Sequence, residues 1–345
     1  MSEDNKDYDI PLHVLSIKDR KILRELFKNA RTPFSAIAKQ VGLSKEVVAY
    51  RIKKLLEQRL LNGFNTVIDV SRLGWQIYFI NIRFKNIDNS IEKSIAETFV
   101  NHQNITQVLK CIGNYDFIVK IFVKDYVSAN ELVKTIEMKF KNHIDFCNLN
   151  FVQQELPIAL PFLYEPFKIK ENIDIFKTGT SYPISIIELQ ILKALSHDAR
   201  LPTTEIADKL KISRELARHH LKKLEKNNII LKYRPSAWSG SKAIGYNWYF
   251  GMLKLNQSNK TSHTKIQHYL TNHLNITYYY KSIGQYEIQF EIRLKTSDEL
   301  NNILMEIRTI LKDELKSYEL SIILKEYKYT YFPDCLMDTK DTEKK

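Results

Sequence analysis

Glycine and cysteine are scarce in this chain of 345 residues, and each scarcity excludes a class of site. With 9 glycines, neither phosphate-binding motif, GxGxxG or GxxxxGK[ST], occurs. The 3 cysteines are too far apart for a disulfide framework or a CxxC metal site, which indicates a reducing, cytoplasmic setting. No apolar run reaches the ~18 residues of a membrane span, and no GxSxG or HExxH motif appears. The sequence therefore predicts no metal, no cofactor, no membrane partner and no enzymatic activity.

Positive charge is in excess and unevenly distributed. The chain has 52 Lys and Arg against 40 Asp and Glu, a net charge of +12. Residues 1–75 contain 14 basic and 9 acidic side chains, or +5, and residues 183–246 contain 12 and 6, or +6. Because these two segments together carry +11 of the +12, we expect them to be the parts that bind a polyanion.

The sequence repeats itself with a period near 170 residues. Lys53–Leu55 corresponds to Lys222–Leu224 at an offset of 169, and Asn104–Thr106 corresponds to Asn275–Thr277 at an offset of 171. A period of this length is too long for the unit of a solenoid. It predicts a two-part module that is present twice.

The first part of each module has the pattern of a helix-turn-helix. In the first copy a short amphipathic helix ends at Gly42, and Ser44 caps a basic helix that follows. Ser213 caps the matching helix of the second copy. The second helix of such a pair enters the major groove of DNA. The residues that lie off the apolar stripe of the two helices are Lys45, Ala49, Tyr50, Lys53, Lys54, Arg214, Arg218, His219, Lys222 and Lys223.

These exposed residues divide into two groups by their position along the helices. For the phosphates we expect Lys53, Lys54, Lys222 and Lys223. For the base edges we expect Lys45, Tyr50, Arg214 and Arg218.

The second part of each module has the order strand, helix, strand, strand, helix, strand, which is a ferredoxin-like βαββαβ unit. In the first copy these elements are predicted at 76–84, 90–100, 105–112, 115–123, 128–142 and 146–154. In the second they are predicted at 248–255, 262–273, 276–283, 286–294, 298–312 and 318–327. One face of strand 286–294 is polar, with Glu287, Gln289, Glu291 and Arg293, so we expect the second copy to be less able to bury both faces there.

Three segments of the chain resemble the Lrp/AsnC family of feast-famine transcriptional regulators. They are the run DRKIL…ARTPFSAIAKQVGLSKEVVAYRIKKL (19–55), the connector IDVSRLGW (68–75) and the hairpin IGNYDFIVKIFVKD (112–125). The resemblance implies an α+β chain with tandem winged helix-turn-helix domains, each followed by a ferredoxin-like sensing and dimerisation domain. It implies a sequence-specific regulator that binds double-stranded DNA. It also adds to the DNA-binding candidates Ser44, Glu46, Arg51, Ser213 and Glu215.

The resemblance further implies an amino-acid effector near a Gly-x-Tyr-Asp hairpin. The candidate residues are Gly113, Asn114, Tyr115 and Asp116, with Gly284 and Gln285 in the second copy. The second copy departs from the motif at Gln285 and Glu287. The motif is also explained if its residues serve only to form a tight hairpin. Because most members of the family have one module per chain, the fusion predicts an intramolecular pseudo-dimer, a homodimer, or both. In a pseudo-dimer, two recognition helices ~34 Å apart reach successive major grooves.

The repeat and the composition give the domain limits. They are a tail at 1–10, helix-turn-helix domains at 11–70 and 184–240, ferredoxin-like domains at 71–155 and 241–332, a linker at 156–183 and a tail at 333–345.

Two other functions remain open. One is an enzyme like the fused siroheme decarboxylases, although the Arg-rich strand with Trp-Pro-Tyr-Asn that marks them is absent. The other is a ligand sensor that does not contact DNA.

Overall fold

A computed structural model describes residues 15–158, 160, 163–164, 181–237, 244–256 and 260–337. The predicted tail at 1–10 and most of the predicted linker at 156–183 lie outside these residues, as do residues 338–345 of the predicted tail at 333–345.

Three helices form the first part of each module. In the first copy they are α1 (Ile17–Lys28), α2 (Phe34–Val41) and α3 (Lys45–Glu57). In the second copy they are α6 (Ile186–His197), α7 (Thr203–Leu210) and α8 (Arg214–Lys226). The turn before α3 contains Gly42 at a φ of 66°, and Lys211 adopts the same left-handed conformation before α8. The two turns therefore share one backbone geometry, although only the first has the glycine.

The second part of each module is a βαββαβ unit, as predicted. In the first copy it comprises β2 (Gln76–Phe84), α4 (Asn89–Asn101), β3 (Ile105–Gly113), β4 (Phe117–Val123), α5 (Tyr126–Lys139) and β5 (Ile144–Pro157). In the second it comprises β7 (Asn247–Leu255), α9 (Lys260–Asn272), β8 (Ile276–Ile283), β9 (Ile288–Leu294), α10 (Ser297–Leu311) and β10 (Leu315–Tyr329). The α+β class of the chain is confirmed.

The two four-stranded sheets join into one closed barrel, with the strand order β10-β3-β4-β2-β5-β8-β9-β7. Strand β5 of the first module pairs with β8 of the second, and β10 of the second pairs with β3 of the first. We call strands β2–β5 the first half of the barrel and strands β7–β10 the second half. The last strand of each module thus lies against the other module, so neither sheet ends in an open edge at these seams.

A separate two-stranded sheet connects the helical parts. It consists of β1 (Gly63–Ile68) and β6 (Ile230–Ser236), which are antiparallel. Beside it, Arg31 donates to the carbonyl of Ala199 at 2.7 Å, and the equivalent Arg200 donates to the carbonyls of Ala30 and Thr32. Each arginine of one module therefore holds the backbone of the other.

The expected weakness of strand β9 was wrong, because the strand is buried along its whole length. Ile288, Phe290 and Ile292 belong to a core beneath α9 and α10. Gln289, Glu291 and Arg293, on the opposite face, point into the closed barrel and are at most 4% exposed. The polar face is buried against polar side chains of the other strands, which a single isolated sheet does not provide.

Candidate nucleic-acid interface and barrel interior

Helix α3 presents a basic surface on the side opposite its core stripe. Val48, Ile52 and Leu55 are buried and fix the helix against α1 and α2. The exposed residues on the outer side are Lys45, Glu46, Tyr50, Lys53 and Lys54. Tyr50 is 66% exposed, which is unusual for an aromatic side chain and suits contact with a partner.

Helix α8 presents a similar surface. Ala217, Leu221 and Leu224 are buried, and Ser213 caps the helix by accepting from the backbone N–H of Leu216 at 3.1 Å. Ser44 caps α3 in the same way. The exposed candidates on α8 are Arg214, Glu215, Arg218, His219, Lys222 and Lys223. Both helices therefore place positive side chains and a free N-terminal turn on the outer surface.

Three of the candidates on these helices form ion pairs that the structure describes, and another candidate is partly covered. Lys53 lies 3.7 Å from the Glu57 carboxylate within α3, and both side chains of this pair are exposed. Arg51 donates to the Asp19 carboxylate at 2.9 Å, which ties α3 to α1. Lys223 approaches the Glu188 carboxylate at 3.1 Å, which ties α8 to α6. Ala49 is half-buried. Arg51 and Lys223 therefore help to position the helices, while the Lys223 side chain is still 43% exposed.

Glu188 is a buried carboxylate at the base of α8 that the sequence did not reveal as such. It is 0% exposed and accepts from the Tyr182 hydroxyl at 3.0 Å. Its other neighbours are Lys223 and His220, whose Nδ1 lies 3.2 Å away. Burial opposes ionisation, but hydrogen bonds from the Ser185 backbone, Lys223, His220 and Tyr182 lower the pKa of Glu188 overall. The ionised form therefore holds the second recognition helix in place.

The hairpins predicted to bind an effector meet each other in the barrel. The hydroxyls of Tyr115 and Tyr286 are 2.5 Å apart. Asn148 donates from Nδ2 to the Tyr115 hydroxyl at 2.9 Å and to Gln285 Oε1 at 2.7 Å. The Asp116 carboxylate accepts from the backbone N–H of Phe84. Asn114 is exposed, whereas Tyr115 and Gln285 already have partners across the seam between the modules.

The glycines of these hairpins permit the close approach of the exchanged strands. Gly113 has a φ of 141°, and a Cβ there would lie 2.7 Å from the carbonyl oxygen of Leu320 on β10. Gly284 has a φ of 149°, and its Cβ would lie 2.7 Å from Oδ1 of Asn150 on β5. At each seam, the positive φ and the close approach of the neighbouring strand therefore favour glycine over any residue with a side chain.

Charged side chains fill the interior of the barrel, where sequence reasoning placed no site. In the first half, Lys120 donates to both oxygens of Glu155, at 2.7 and 2.6 Å, and both residues are buried. In the second half, the Tyr280 hydroxyl donates to Glu291 at 2.8 Å. The only signal in the sequence was the alternation of polar residues along strand 286–294.

Arg293 and Glu326 complete the interior of the second half. The Arg293 guanidinium lies 3.7 Å from the ring centre of Trp248, and its nearest contact with Glu291 is 3.8 Å. Gln107 donates to Glu326 at 2.9 Å. Burial raises the pKa of Glu326 to about 8, and burial lowers the pKa of Arg293 to about 10. Both shifts show that charge is poorly compensated here.

A metal centre does not form within the part of the chain that the structure describes, since no three His, Cys, Asp or Glu side chains come together there. Among the described helices, none has both the length and the apolar character needed to cross a bilayer.

Comparison with known families gives two matches in the helical parts. Residues 15–56 match a family described as the AsnC-type helix-turn-helix domain. Residues 184–230 match a family described as winged helix-turn-helix DNA-binding. The repeated helix-turn-helix is therefore confirmed in both modules.

Curated relatives match about one module's length of this chain. The transcriptional regulator FL11 of Pyrococcus furiosus is 31% identical over 124 residues, which is 36% of this chain and 80% of FL11. The regulatory protein AsnC of Haemophilus influenzae is 26% identical over 125 residues, which is 36% of this chain and 82% of AsnC. These relatives contain one module where this chain contains two.

The tandem architecture also occurs in an enzyme. The crystal structure of the siroheme decarboxylase NirDL superposes with a TM-score of 0.61 at 16% identity, over 90% of this chain and 92% of that one. The absence of catalytic motifs led to the expectation that this chain is not an enzyme, and that expectation was wrong. An enzyme is built on the same fold, so familiar motifs do not decide the question.

The matched families and the identity to FL11 agree with the basic, serine-capped helices α3 and α8. The chain belongs to the Lrp/AsnC family and is a DNA-binding regulator with two modules in tandem.

Proposed function

We propose that the protein is a sequence-specific transcriptional regulator in which α3 and α8 of one chain bind two adjacent half-sites of duplex DNA. The observation that carries this proposal is the pair of serine-capped helices, each held by a buried stripe and each with an exposed basic face. The β1–β6 sheet and the reciprocal arginines Arg31 and Arg200 join the two helical parts. This connection supports simultaneous contact of both helices with a single duplex.

The exposed side chains have separate tasks. Lys53, Lys54 and Lys222 neutralise phosphates, because they lie along the outer surface of the helices. Lys45, Tyr50, Arg214 and Arg218 lie in the first two turns of α3 and α8, which is the part that approaches base edges in a helix-turn-helix. The proposal assigns Lys223 and Arg51 to holding the helices in position.

Lys222→Ala and Lys223→Ala form a matched pair that tests this division. Each phosphate contact releases condensed counterions, so losing one flattens the dependence of log K on log salt by about one unit. We expect this change for Lys222→Ala on selected and on random duplexes. Lys223→Ala, whose ammonium is 3.1 Å from Glu188, changes the slope by clearly less. Fluorescence anisotropy between 50 and 300 mM salt measures both slopes, and duplex binding that does not respond to salt contradicts the proposal.

The regulator also responds to an amino acid that binds near the Gly113 hairpin. Asn114 and Gly113 are exposed there, beside the Tyr115–Tyr286 contact that joins the modules. Occupancy of this hairpin therefore alters how the modules pair. Calorimetry and thermal-shift measurements with each of the twenty amino acids test for the effector. If no amino acid gives heat or a thermal shift, the effector is removed from the proposal.

The fold shared with the siroheme decarboxylase favours a second candidate, an enzyme that acts on an iron tetrapyrrole. Two cavities in the barrel, of about 50 and 20 Å³, are much smaller than a tetrapyrrole, so such binding requires that the interior open. Titration with an iron tetrapyrrole, followed by the absorbance of the bound pigment, tests this candidate. If the protein binds the iron tetrapyrrole stoichiometrically and does not bind duplex DNA, the enzyme becomes the preferred function.

A further inference from the structure

The two halves of the barrel contain cavities at repeat-related positions, 171 residues apart in the sequence. The first-half pocket has a volume of about 20 Å³ and is lined by Ile77, Thr106, Lys120, Phe122 and Glu155. The second-half pocket has a volume of about 50 Å³ and is lined at the same positions by Trp248, Thr277, Glu291, Arg293 and Glu326. The same framework thus carries two different sets of side chains.

The first-half pocket is chemically closed. Lys120 and Glu155 satisfy each other with two hydrogen bonds, and Ile77 and Phe122 contribute apolar surface to the lining of the same pocket. Among the described residues, this pocket contains no buried polar side-chain atom without a hydrogen-bond partner. It has no unused group that a ligand can meet.

The second-half pocket differs because Glu291 stands where Lys120 stands in the first half. Glu326, the equivalent of Glu155, therefore has no lysine beside it. Four of the side chains that line this pocket each have an atom without a hydrogen-bond partner among the described residues: Gln107 Oε1, Trp248 Nε1, Arg293 Nη1 and Glu326 Oε2. All four side chains are more than nine-tenths buried. Buried polar atoms without partners are costly, so a group of four around one cavity points to a ligand.

The four atoms also define the chemistry of that ligand. Arg293 Nη1 and Trp248 Nε1 are donors, and the guanidinium is matched to a carboxylate. Gln107 Oε1 is an acceptor and calls for a hydrogen-bond donor on the ligand. Glu326 Oε2 accepts when its carboxyl is ionised and donates when it is protonated, and a hydroxyl group can meet it in either state. A volume of about 50 Å³ accommodates only a few heavy atoms, since one water requires about 10–15 Å³.

We propose that the second-half pocket binds a small carboxylate that carries an adjacent hydroxyl group. The carboxylate lies against Arg293 and Trp248, and the donor lies against Glu326 and Gln107. The indole face of Trp248 stacks on the guanidinium and keeps it aimed at the ligand. This site is separate from the recognition helices and does not depend on the proposed DNA binding.

Glycolate is the probe that tests the site, because it has a carboxylate, a hydroxyl and five heavy atoms. Isothermal titration of the full chain with glycolate gives one saturable site per chain. Acetate, which lacks the donor, binds more weakly. Methylammonium, which lacks the carboxylate, does not bind at this site.

The repeat itself supplies the variants. Arg293→Phe places in the second half the residue that the first half has at position 122, and it weakens glycolate binding about tenfold or more because a charged hydrogen bond is lost. Glu291→Lys with Arg293→Phe rebuilds the lysine–glutamate pair of the first half. This double variant keeps the fold if the single variant does not, and it does not bind glycolate. Phe122→Leu in the first-half pocket is the matched control, with affinity unchanged within about twofold.

Several outcomes overturn the proposal. They are no saturable heat with glycolate up to 20 mM, unchanged affinity in the double variant, equal loss in Phe122→Leu, or two sites per chain. Binding of methylammonium in preference to glycolate also overturns it, since the cavity then selects a cation.

Discussion

The two halves of the barrel show how one backbone plan gives two different interiors. In the first half, Lys120 and Glu155 form a compact ion pair with both partners satisfied. In the second half, Glu291 replaces the lysine, and Arg293 approaches its carboxylate only to 3.8 Å. Because strand register is the same in both halves, the difference comes from the side chains alone. Duplication has kept the framework and left the second interior with unused hydrogen-bonding capacity.

The helical parts show a milder version of the same contrast. Asp19 at the start of α1 pairs with Arg51 of α3, and Glu188 at the start of α6 meets His220 and Lys223 of α8. In each module an acid at the third position of the first helix anchors the recognition helix. The second module uses an additional lysine for this purpose, and the side chain of that lysine is still 43% exposed.

The largest expected effect concerns the closed ion pair. Lys120→Met leaves the Glu155 carboxylate buried without a partner, and we expect a loss of about 3–5 kcal/mol in the free energy of unfolding. Urea denaturation followed by circular dichroism measures it. Adding Glu155→Gln to the same chain recovers most of the loss, because no charge then remains. A cost below about 1 kcal/mol for Lys120→Met contradicts the description of the first half as closed.

The next effect concerns pH and the second half. The pKa of Glu326 is raised to about 8 by burial near Glu291, with Arg293 opposing the rise. A carboxyl whose pKa is higher in the folded chain stabilises the fold below its unfolded pKa, and this contribution is lost as pH rises toward 8. Glu326→Gln removes the titration. We expect the wild type to lose about 2–3 kcal/mol relative to this variant between pH 5 and pH 8. If the free energy of unfolding depends on pH in the same way in both proteins, the titration does not belong to Glu326.

A smaller effect separates the reciprocal arginines. Arg31→Ala and Arg200→Ala each remove charged hydrogen bonds to backbone carbonyls of the other module, and we expect each to cost about 2 kcal/mol. Arg31 lies 5.2 Å from the ring centre of Tyr233, and Arg200 lies 5.4 Å from that of Phe64. Arg200 has a further ring, Phe34, at 4.3 Å, so its loss is greater by about 0.5 kcal/mol. Thermal unfolding of the two variants side by side measures the difference. If only Arg31→Ala lowers the stability of the protein, the expected order of the two variants is wrong.

The sequence was sufficient for features that depend on local pattern. Ser44 and Ser213 cap the helices that they were expected to cap, because a cap depends on only a few neighbouring residues. The repeat also predicted two βαββαβ units, since each unit has its own apolar periodicity.

Features that depend on contacts between the modules were not predictable in this way. Glu291 and Arg293 read as a solvated face, because the sequence does not show that the second sheet closes against the first. Lys223 read as a free lysine, because the buried position of Glu188 depends on how α6 packs. Absent motifs also proved a poor guide to enzymatic activity, since the fold itself is shared with a decarboxylase.

A chemical footprint of the full chain on a selected duplex shows whether α3 and α8 bind DNA at the same time. We expect two protected half-sites in successive major grooves, about one helical turn apart. A variant with Lys45→Ala and Tyr50→Ala loses one half-site, and a variant with Arg214→Ala and Arg218→Ala loses the other. Protection of a single site, or equal loss of both half-sites in both variants, contradicts a chain that binds DNA with two separate helices.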